Sequence, residues 1–418
     1  MSLLWRRSLG CWLATLLLTT ASCATSDSPR ALPSDPRPAP TRATLQLGQK
    51  ELADGRFVGL AFSGGGSRAA VFGAAVMTEL DRVGLLSQVD VLSAVSGGAL
   101  PAASYALDGY GDINFDQGFA ELIGRDVQGA MAGPWYAVPH NLLRYAFTKT
   151  IPAEPVIRAL DDTLFQGATF ADLNPSRPIL LLNSTDALTG DPLVITDERF
   201  ASLGLSLAPF SIARAVYMSA AYPGVLEPLK LTDGRVGMNG ASSHPILAYD
   251  GGAADNLGIR TLVQVLEDTS ANRPLSDLFP QGCLVISIDA TGRQKNETHT
   301  PLSAAAALLR GHRRNVLELA GIPASQQDMA QFGTFRIGQD GVGGLCQFWH
   351  VALRQLPDSD PLGDHVTHIR TNLGLSNEDQ TALIAAAARL VAKGREEMNG
   401  TAGRAAFTGS KPALLSHP

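Results

Sequence analysis

The stretch Ala94-Val95-Ser96-Gly97-Gly98 sets a serine among small residues, and far downstream Asp250-Gly251-Gly252 offers a carboxylate. A serine hydroxyl is a weak nucleophile until a base takes its proton, and a carboxylate within hydrogen-bond reach is such a base. The charge that then develops on a substrate carbonyl oxygen needs donors already aimed at it. Ser63-Gly64-Gly65-Gly66-Ser67-Arg68 supplies candidates. Consecutive glycines let backbone N–H groups converge on an anion, and a helix N-terminus behind them adds partial positive charge. By itself this loop suits an oxyanion or a phosphate.

These residues need elements that place them. Val89-Asp90-Val91-Leu92-Ser93 reads as a buried strand and Ala99 to Leu107 as a helix, so Ser96 falls on a strand-to-helix turn, where a nucleophile elbow must sit. Gly97 and Gly98 give the sharp bend and close substrate approach that such a turn requires. Phe57 to Phe62 reads as a second buried strand, leading through the glycines into a helix from Ala69 to Leu80. Further strands are expected at 178–183 and 283–289, with 193–196 returning as a hairpin through Thr189-Gly190. A capping-box spacing at Ser376-Asn377-Glu378-Asp379 opens a helix that Gly394 is expected to end. Strands alternating with helices predict a three-layer α/β/α sandwich around a mainly parallel sheet. Ligands of such sheets bind at the carboxyl ends of strands, where Ser96 and the glycines fall.

The order of strand, triple glycine with arginine, serine elbow and Asp-Gly-Gly resembles the patatin-like phospholipase family. Ala213-Arg214-Ala215-Val216-Tyr217-Met218-Ser219-Ala220-Ala221-Tyr222-Pro223-Gly224-Val225-Leu226-Glu227-Pro228 and Tyr249-Asp250-Gly251-Gly252-Ala253-Ala254-Asp255-Asn256-Leu257-Gly258 are similar to that family's segments before and around its aspartate. The resemblance runs from about Arg56 to about Gly394. It implies a Ser–Asp dyad without histidine: Ser96 as nucleophile, Asp250 as its base, and Gly64, Gly65, Gly66, Arg68 and Gly97 around the oxyanion and substrate. Two positions depart from the pattern, Ala94 at the first glycine of the elbow and Ala69 after Arg68. Alanine carries the smallest side chain with a Cβ, so both are expected to be tolerated.

The N-terminus carries a separate message. Arg6 and Arg7 precede an apolar run from Leu9 to Leu18, too short for a bilayer span and suited to a signal-peptide core. Thr20-Ala21-Ser22 then lead to Cys23, which resembles the lipidated cysteine of a bacterial lipoprotein signal. With Ala24 after the cysteine, the resemblance implies the outer membrane, with plain secretion as the alternative because Thr20 replaces the usual leucine. The expected organisation is a signal peptide over 1–22, a Pro/Ser-rich tether over 23–50, a catalytic domain over 51–397 and a flexible tail over 398–418.

A net charge of −6 and a pI of 5.8 argue against nucleic-acid binding, and the densest basic run, Arg310-Gly311-His312-Arg313-Arg314, suits a solvated helix face. Cys283 and Cys346 permit a disulfide, while Cys283 also suits a buried thiol on its strand. Met131 to Phe147, with its aromatics, reads as core, lid or lipid-facing surface. His244, His365 and His368 sit in no triad or metal pattern, so structural or exposed roles are expected. A P-loop is excluded because Ala69-Ala70 stands where Lys-Ser or Lys-Thr belongs. The expectation is a lipid acyl hydrolase needing no metal or cofactor, acting on phospholipid or another acyl ester. An acyltransferase with the same acyl-enzyme, or a membrane-tethered lipid-binding protein, are the alternatives.

Overall fold

Alternation along the strands decides the architecture. In β1 (Phe57–Phe62), Val58, Leu60 and Phe62 join one hydrophobic cluster while Phe57 and Ala61 join another. The same split recurs in β2 (Val91–Val95), with Leu92 and Ala94 against Val91, and in β3 (Ile179–Asp186), with Leu180 and Leu182 against Ile179 and Leu181. Successive side chains of a strand point to opposite faces, so each strand buries apolar groups on both sides and needs a helical layer above and below. The computed structural model describes residues 40–113, 115, 119–124, 150–231, 246–271, 273–292, 346–371 and 374–400.

The thicker layer carries α1 (Gly66–Arg82), α2 (Ala99–Ala106), α3 (Ala153–Leu160) and α4 (Ile212–Ala220). The opposite face is covered by α5 (Ile259–Ser270), through Ile259, Leu262, Val265 and Leu266. Two C-terminal helices, α6 (Pro361–His368) and α7 (Asn377–Gly400), close the first layer. Leu383, Ala386, Ala387, Leu390 and Val391 line one face of α7 at helical spacing and lie against α1. Burying each of its two leucines contributes about 1.5–3 kcal/mol, and the alanines between them allow the axes to approach.

Among the described residues eight strands form one sheet, hydrogen-bonded in the sequence β5–β6–β3–β2–β1–β7–β8 with β4 also on β3. Here β4 is Pro192–Ile195, β5 Leu229–Leu231, β6 Ile246–Asp250, β7 Cys283–Asp289 and β8 Cys346–Ala352. The five strands β3, β2, β1, β7 and β8 run parallel, whereas β4, β5 and β6 add antiparallel pairs, so the sheet is mixed around a parallel centre. Residues 182 and 183 of β3 pair with both β2 and β4, and residues 184 and 185 with both β6 and β4. A residue pairs with one strand per edge, so β4 holds one edge of β3 while β2 and β6 share the other. They meet there end to end: Val95 stands opposite Asn183, and Asp250 opposite the next residue, Ser184.

Two expectations are corrected. The segment 40–50 is docked, not free: Thr41 N donates to Asp197 Oδ2 at 2.6 Å, Leu180 N donates to the Arg42 carbonyl, and Ala43 is fully buried. The expected tether over 23–50 therefore does not include these residues, and the rest of it lies outside the described residues. Nor does Gly394 terminate α7, which runs to Gly400. A Cβ at Gly394 would fall 2.2 Å from the indole nitrogen of Trp349 on β8, so this glycine allows helix and sheet to touch. Cys283 and Cys346 stand opposite each other in the β7–β8 register and are joined as a disulfide. No helix among the described residues is long and apolar enough to cross a membrane. The signal segment, Cys23, the aromatic run 131–147, the basic run 310–314 and the tail beyond 400 lie outside the described residues.

Candidate active site

The backbone leaves β2 in ordinary extended geometry at Val95 (φ −127°) and turns left-handed at Ser96 (φ 53°), before one turn of 3₁₀ helix opens α2. A side chain in that region costs on the order of 1 kcal/mol or more and persists only where its surroundings hold it. Ser96 N donates to Ser219 Oγ at 2.9 Å, and Ser219 Oγ donates in turn to the Asn183 carbonyl at 2.6 Å. The serine of α4 thus fixes the elbow onto β3. Gly97 and Gly98 pack backbone to backbone on the glycine loop: a Cβ at Gly97 would stand 1.9 Å from the Gly66 carbonyl oxygen, and one at Gly98 2.7 Å from that of Ser63. No side chain fits at either position.

Because β6 ends where β2 ends, its last residue is delivered to the elbow. Ser96 Oγ donates to Asp250 Oδ2 at 2.6 Å, and Gly252 N donates to Oδ1 at 2.7 Å. The main chain of Asp250 is held too, its N–H donating to the Ala221 carbonyl at 3.1 Å and its carbonyl accepting from Thr185 Oγ1 at 2.9 Å. Gly251 is required by crowding, since a Cβ there would lie 2.3 Å from the Asn183 carbonyl oxygen. Burial pushes the Asp250 carboxyl up to about 6, partly offset by the hydrogen bonds from Ser96 and Gly252. Proton affinity near neutrality suits a general base better than an ordinary aspartate does.

Gly65 (φ 141°) and Gly66 (φ 60°) take conformations that L side chains rarely adopt, and they form the N-terminal cap and first residue of α1. Among the described residues no hydrogen-bond acceptor is found for their N–H groups, and the loop lies against the elbow, a Cβ at Gly97 falling 1.9 Å from the Gly66 carbonyl oxygen. Gly64 differs. Its N–H donates to the Asn256 carbonyl at 3.0 Å, and a Cβ there would approach Ser96 Cβ to 3.3 Å, so it serves as a spacer rather than a free donor. Arg68 lies in the first turn of α1 but turns away: Nε donates to the Ala290 carbonyl at 2.7 Å, Nη1 to the Ile369 carbonyl, and Nη2 to Thr371 Oγ1 at 3.4 Å.

Sequence reasoning missed the polar layer beneath the dyad. Asn183 Nδ2 donates to Ser93 Oγ at 2.9 Å, Ser93 Oγ to the Gly258 carbonyl at 2.6 Å, and Thr261 Oγ1 to Asn183 Oδ1 at 2.6 Å. The available signal was Asn183-Ser184-Thr185 following Leu180-Leu181-Leu182, since polar residues in a fully buried strand need partners. Ala94 is accommodated, its Cβ buried in the core cluster. Among the described residues the histidines stand elsewhere, His350 beside Asp289, His365 beside Asp379 and His368 beside Asp364, and no cluster suited to a metal occurs.

Residues 60–263 match the family model described as patatin-like phospholipase. No curated protein sequence matches the chain. Among solved structures, human GIVD cytosolic phospholipase A2 aligns with a TM-score of 0.48 and 10% identity, over 84% of this chain and 60% of its own. VipD from Legionella pneumophila aligns with a TM-score of 0.35 and 12% identity, over 88% and 72%. ExoU of Pseudomonas aeruginosa, in its complex with SpcU, aligns with a TM-score of 0.28 and 13% identity, over 82% and 52%. The chain thus spans little more than half the length of two of these three, and scores of this size bear on neither activity nor substrate.

Proposed function

Since residues 60–263 match the patatin-like phospholipase family model, we propose that the protein is a lipid acyl hydrolase working through a Ser96–Asp250 dyad. The observation that carries this reading is the 2.6 Å hydrogen bond from Ser96 Oγ to Asp250 Oδ2, at an elbow packed on the glycine loop. Ser96 Oγ attacks the ester carbonyl carbon while its proton passes to Asp250 Oδ2. The oxyanion is received by the N–H groups of Gly65 and Gly66 and by the α1 N-terminus. The tetrahedral adduct collapses, the alcohol leaves with the proton from Asp250, and the acyl group stays on Ser96. A water then gives its proton to Asp250 and its hydroxyl to the acyl carbon, releasing the acid and restoring both side chains. Asp250 takes and returns each proton, from Ser96 to the leaving alcohol and from water back to Ser96, and the scheme calls on no metal or cofactor.

The test is Ser96→Ala, assayed on short-chain p-nitrophenyl esters and on phospholipid in mixed micelles. A loss on the order of 10³-fold or more in kcat is expected for both, with fluorophosphonate labelling abolished. Parent-like turnover by the variant would remove the dyad. The substrate is a phospholipid or another acyl ester. Cys23 is its lipid attachment point at the bacterial outer membrane, so Cys23→Ser moves the protein to the soluble fraction while its esterase activity remains. A Cys23→Ser protein that still sediments with membranes refutes that anchor.

A further inference from the structure

Arg68 is buried, yet nothing of the substrate site occupies its guanidinium. Its three acceptors belong to two segments remote in sequence, the chain leaving β7 and the chain leaving α6, both outside residues 60–263. The main chain of Ala290 is gripped on both sides of its Cα. Its N–H donates to Ser63 Oγ at 2.9 Å, and its carbonyl accepts from Arg68 Nε at 2.7 Å. Ser63 N also donates to the Ile288 carbonyl at 3.0 Å. Ser63 and Arg68 flank Gly64-Gly65-Gly66, so the glycine arch stands with both feet on one residue at the neighbouring strand end.

The surroundings are shaped to this guanidinium. A Cβ at Gly292 would fall 2.8 Å from Arg68 Nη1 and 2.6 Å from the Thr367 carbonyl oxygen, so only glycine leaves room there. Asp289, wholly buried beside Ala290, supplies negative charge within electrostatic reach of Arg68. It is itself held by His350, Arg354 and Thr291 N. A planar fork with donors in fixed directions can join three acceptors at once, which a lysine ammonium on its flexible stem does not reproduce.

We infer that Arg68 is a positioning residue that holds Gly65 and Gly66 in their donor-presenting conformation by clamping the glycine loop to Ala290, Ile369 and Thr371. The clamp makes the C-terminal third of the chain a working part of the site. Free of side chains, the arch has little stiffness of its own, and a displacement of about 1 Å of reacting groups lowers rates on the order of 10²-fold. The inference rests on the dyad reading for its kinetic consequences and on the hydrogen-bond geometry alone for its structural ones.

The experiment compares the parent with Arg68→Ala, Arg68→Lys and Gly292→Ala on a neutral p-nitrophenyl ester and on phosphatidylcholine in mixed micelles. Amide hydrogen exchange is followed across residues 63–67. For Arg68→Ala, kcat is expected to fall on the order of 10²-fold on both substrates, with KM within about twofold. Exchange across the loop is expected to accelerate, and added guanidinium to restore at least about tenfold of the lost rate by refilling the clamp. Arg68→Lys stays low, and Gly292→Ala, which touches neither substrate nor loop, reproduces the pattern in milder form. Thermal unfolding of each variant separates a displaced loop from an unfolded chain, and Gly292→Ala carries the test if Arg68→Ala does not fold. A defect confined to phosphatidylcholine and expressed in KM would mean that Arg68 meets the phosphate and would overturn the clamp, as would unchanged exchange at 63–67. If the parent hydrolyses neither ester, the dyad reading falls, while the exchange measurement still decides the clamp.

Discussion

At the scale of single residues, Asp250 ties activity and stability to pH in opposite senses. As a base it must be ionised, so kcat/KM on a neutral ester is expected to fall about tenfold per pH unit below about 6 and to level off above about 7. A flat profile from pH 4 to 8 would exclude a carboxylate base. Its folded value near 6 lies above the ordinary aspartate value of about 3.9, so the folded chain binds the extra proton between these limits. Stability from this group is fully present below about pH 4 and is lost as pH rises through about 6, a change of about 3 kcal/mol. Asp250→Asn is therefore expected to abolish turnover yet to unfold at higher temperature than the parent at pH 8, with the advantage gone at pH 4. Equal midpoints at both pH values would contradict this. Ser96 and Asp250 were legible in the sequence because small residues flank each. The supports around them were not: Ser219 beneath Ser96 N, Asn183 beneath Ser219, and Asn256 beneath Gly64 come together only through the fold.

Among the elements, β1 and β7 were legible residue for residue, because each is a short apolar run bounded by turn residues. β2 sits two residues later than its apolar pattern indicates: Asp90 ends outside the strand, where its carboxylate accepts from Val58 N at 2.9 Å. β5, β6 and β8 escaped notice because they are short or only partly buried: β5 has three residues, β6 five, and β8 interrupts its apolar residues with Gln347 and His350. Gly394 shows how the same residue type supports two readings, a helix stop by propensity and a helix–sheet contact by packing. Gly394→Ala gains about 1 kcal/mol of helix propensity but drives a methyl into Trp349, where overpacking costs about 1–3 kcal/mol. A lower denaturation midpoint, with Trp349 fluorescence shifted, is the expected result; a stabilised variant would mean that the indole moves aside freely.

For the whole molecule, the disulfide joins two neighbouring strands whose cysteines are 63 residues apart in sequence. Closing a loop of that length restrains the unfolded chain, and its removal is expected to cost about 2–4 kcal/mol. Cys283→Ser with Cys346→Ser should accordingly lower the urea midpoint with little change in kcat, since β7 and β8 keep their backbone pairing. An unchanged midpoint would mean that the cross-link adds nothing to the fold. The central parallel strands and the flanking helices followed from alternation in the sequence; the antiparallel extension through β6 did not, because nothing local announces which edge of β3 it occupies.

That extension has a consequence in time. The nucleophile and its base sit at the tips of two strands that never pair with each other and meet only where both are laid along β3. Nearest contacts between them span more than 150 residues of chain. Long-range closures of this kind are made late when a chain collapses. During refolding from denaturant, helical circular dichroism should therefore recover before fluorophosphonate reactivity, with the gap measuring how slowly β6 finds its slot. A nascent or partly unfolded chain would then be chemically silent, its serine exposed but unarmed until the last strand arrives.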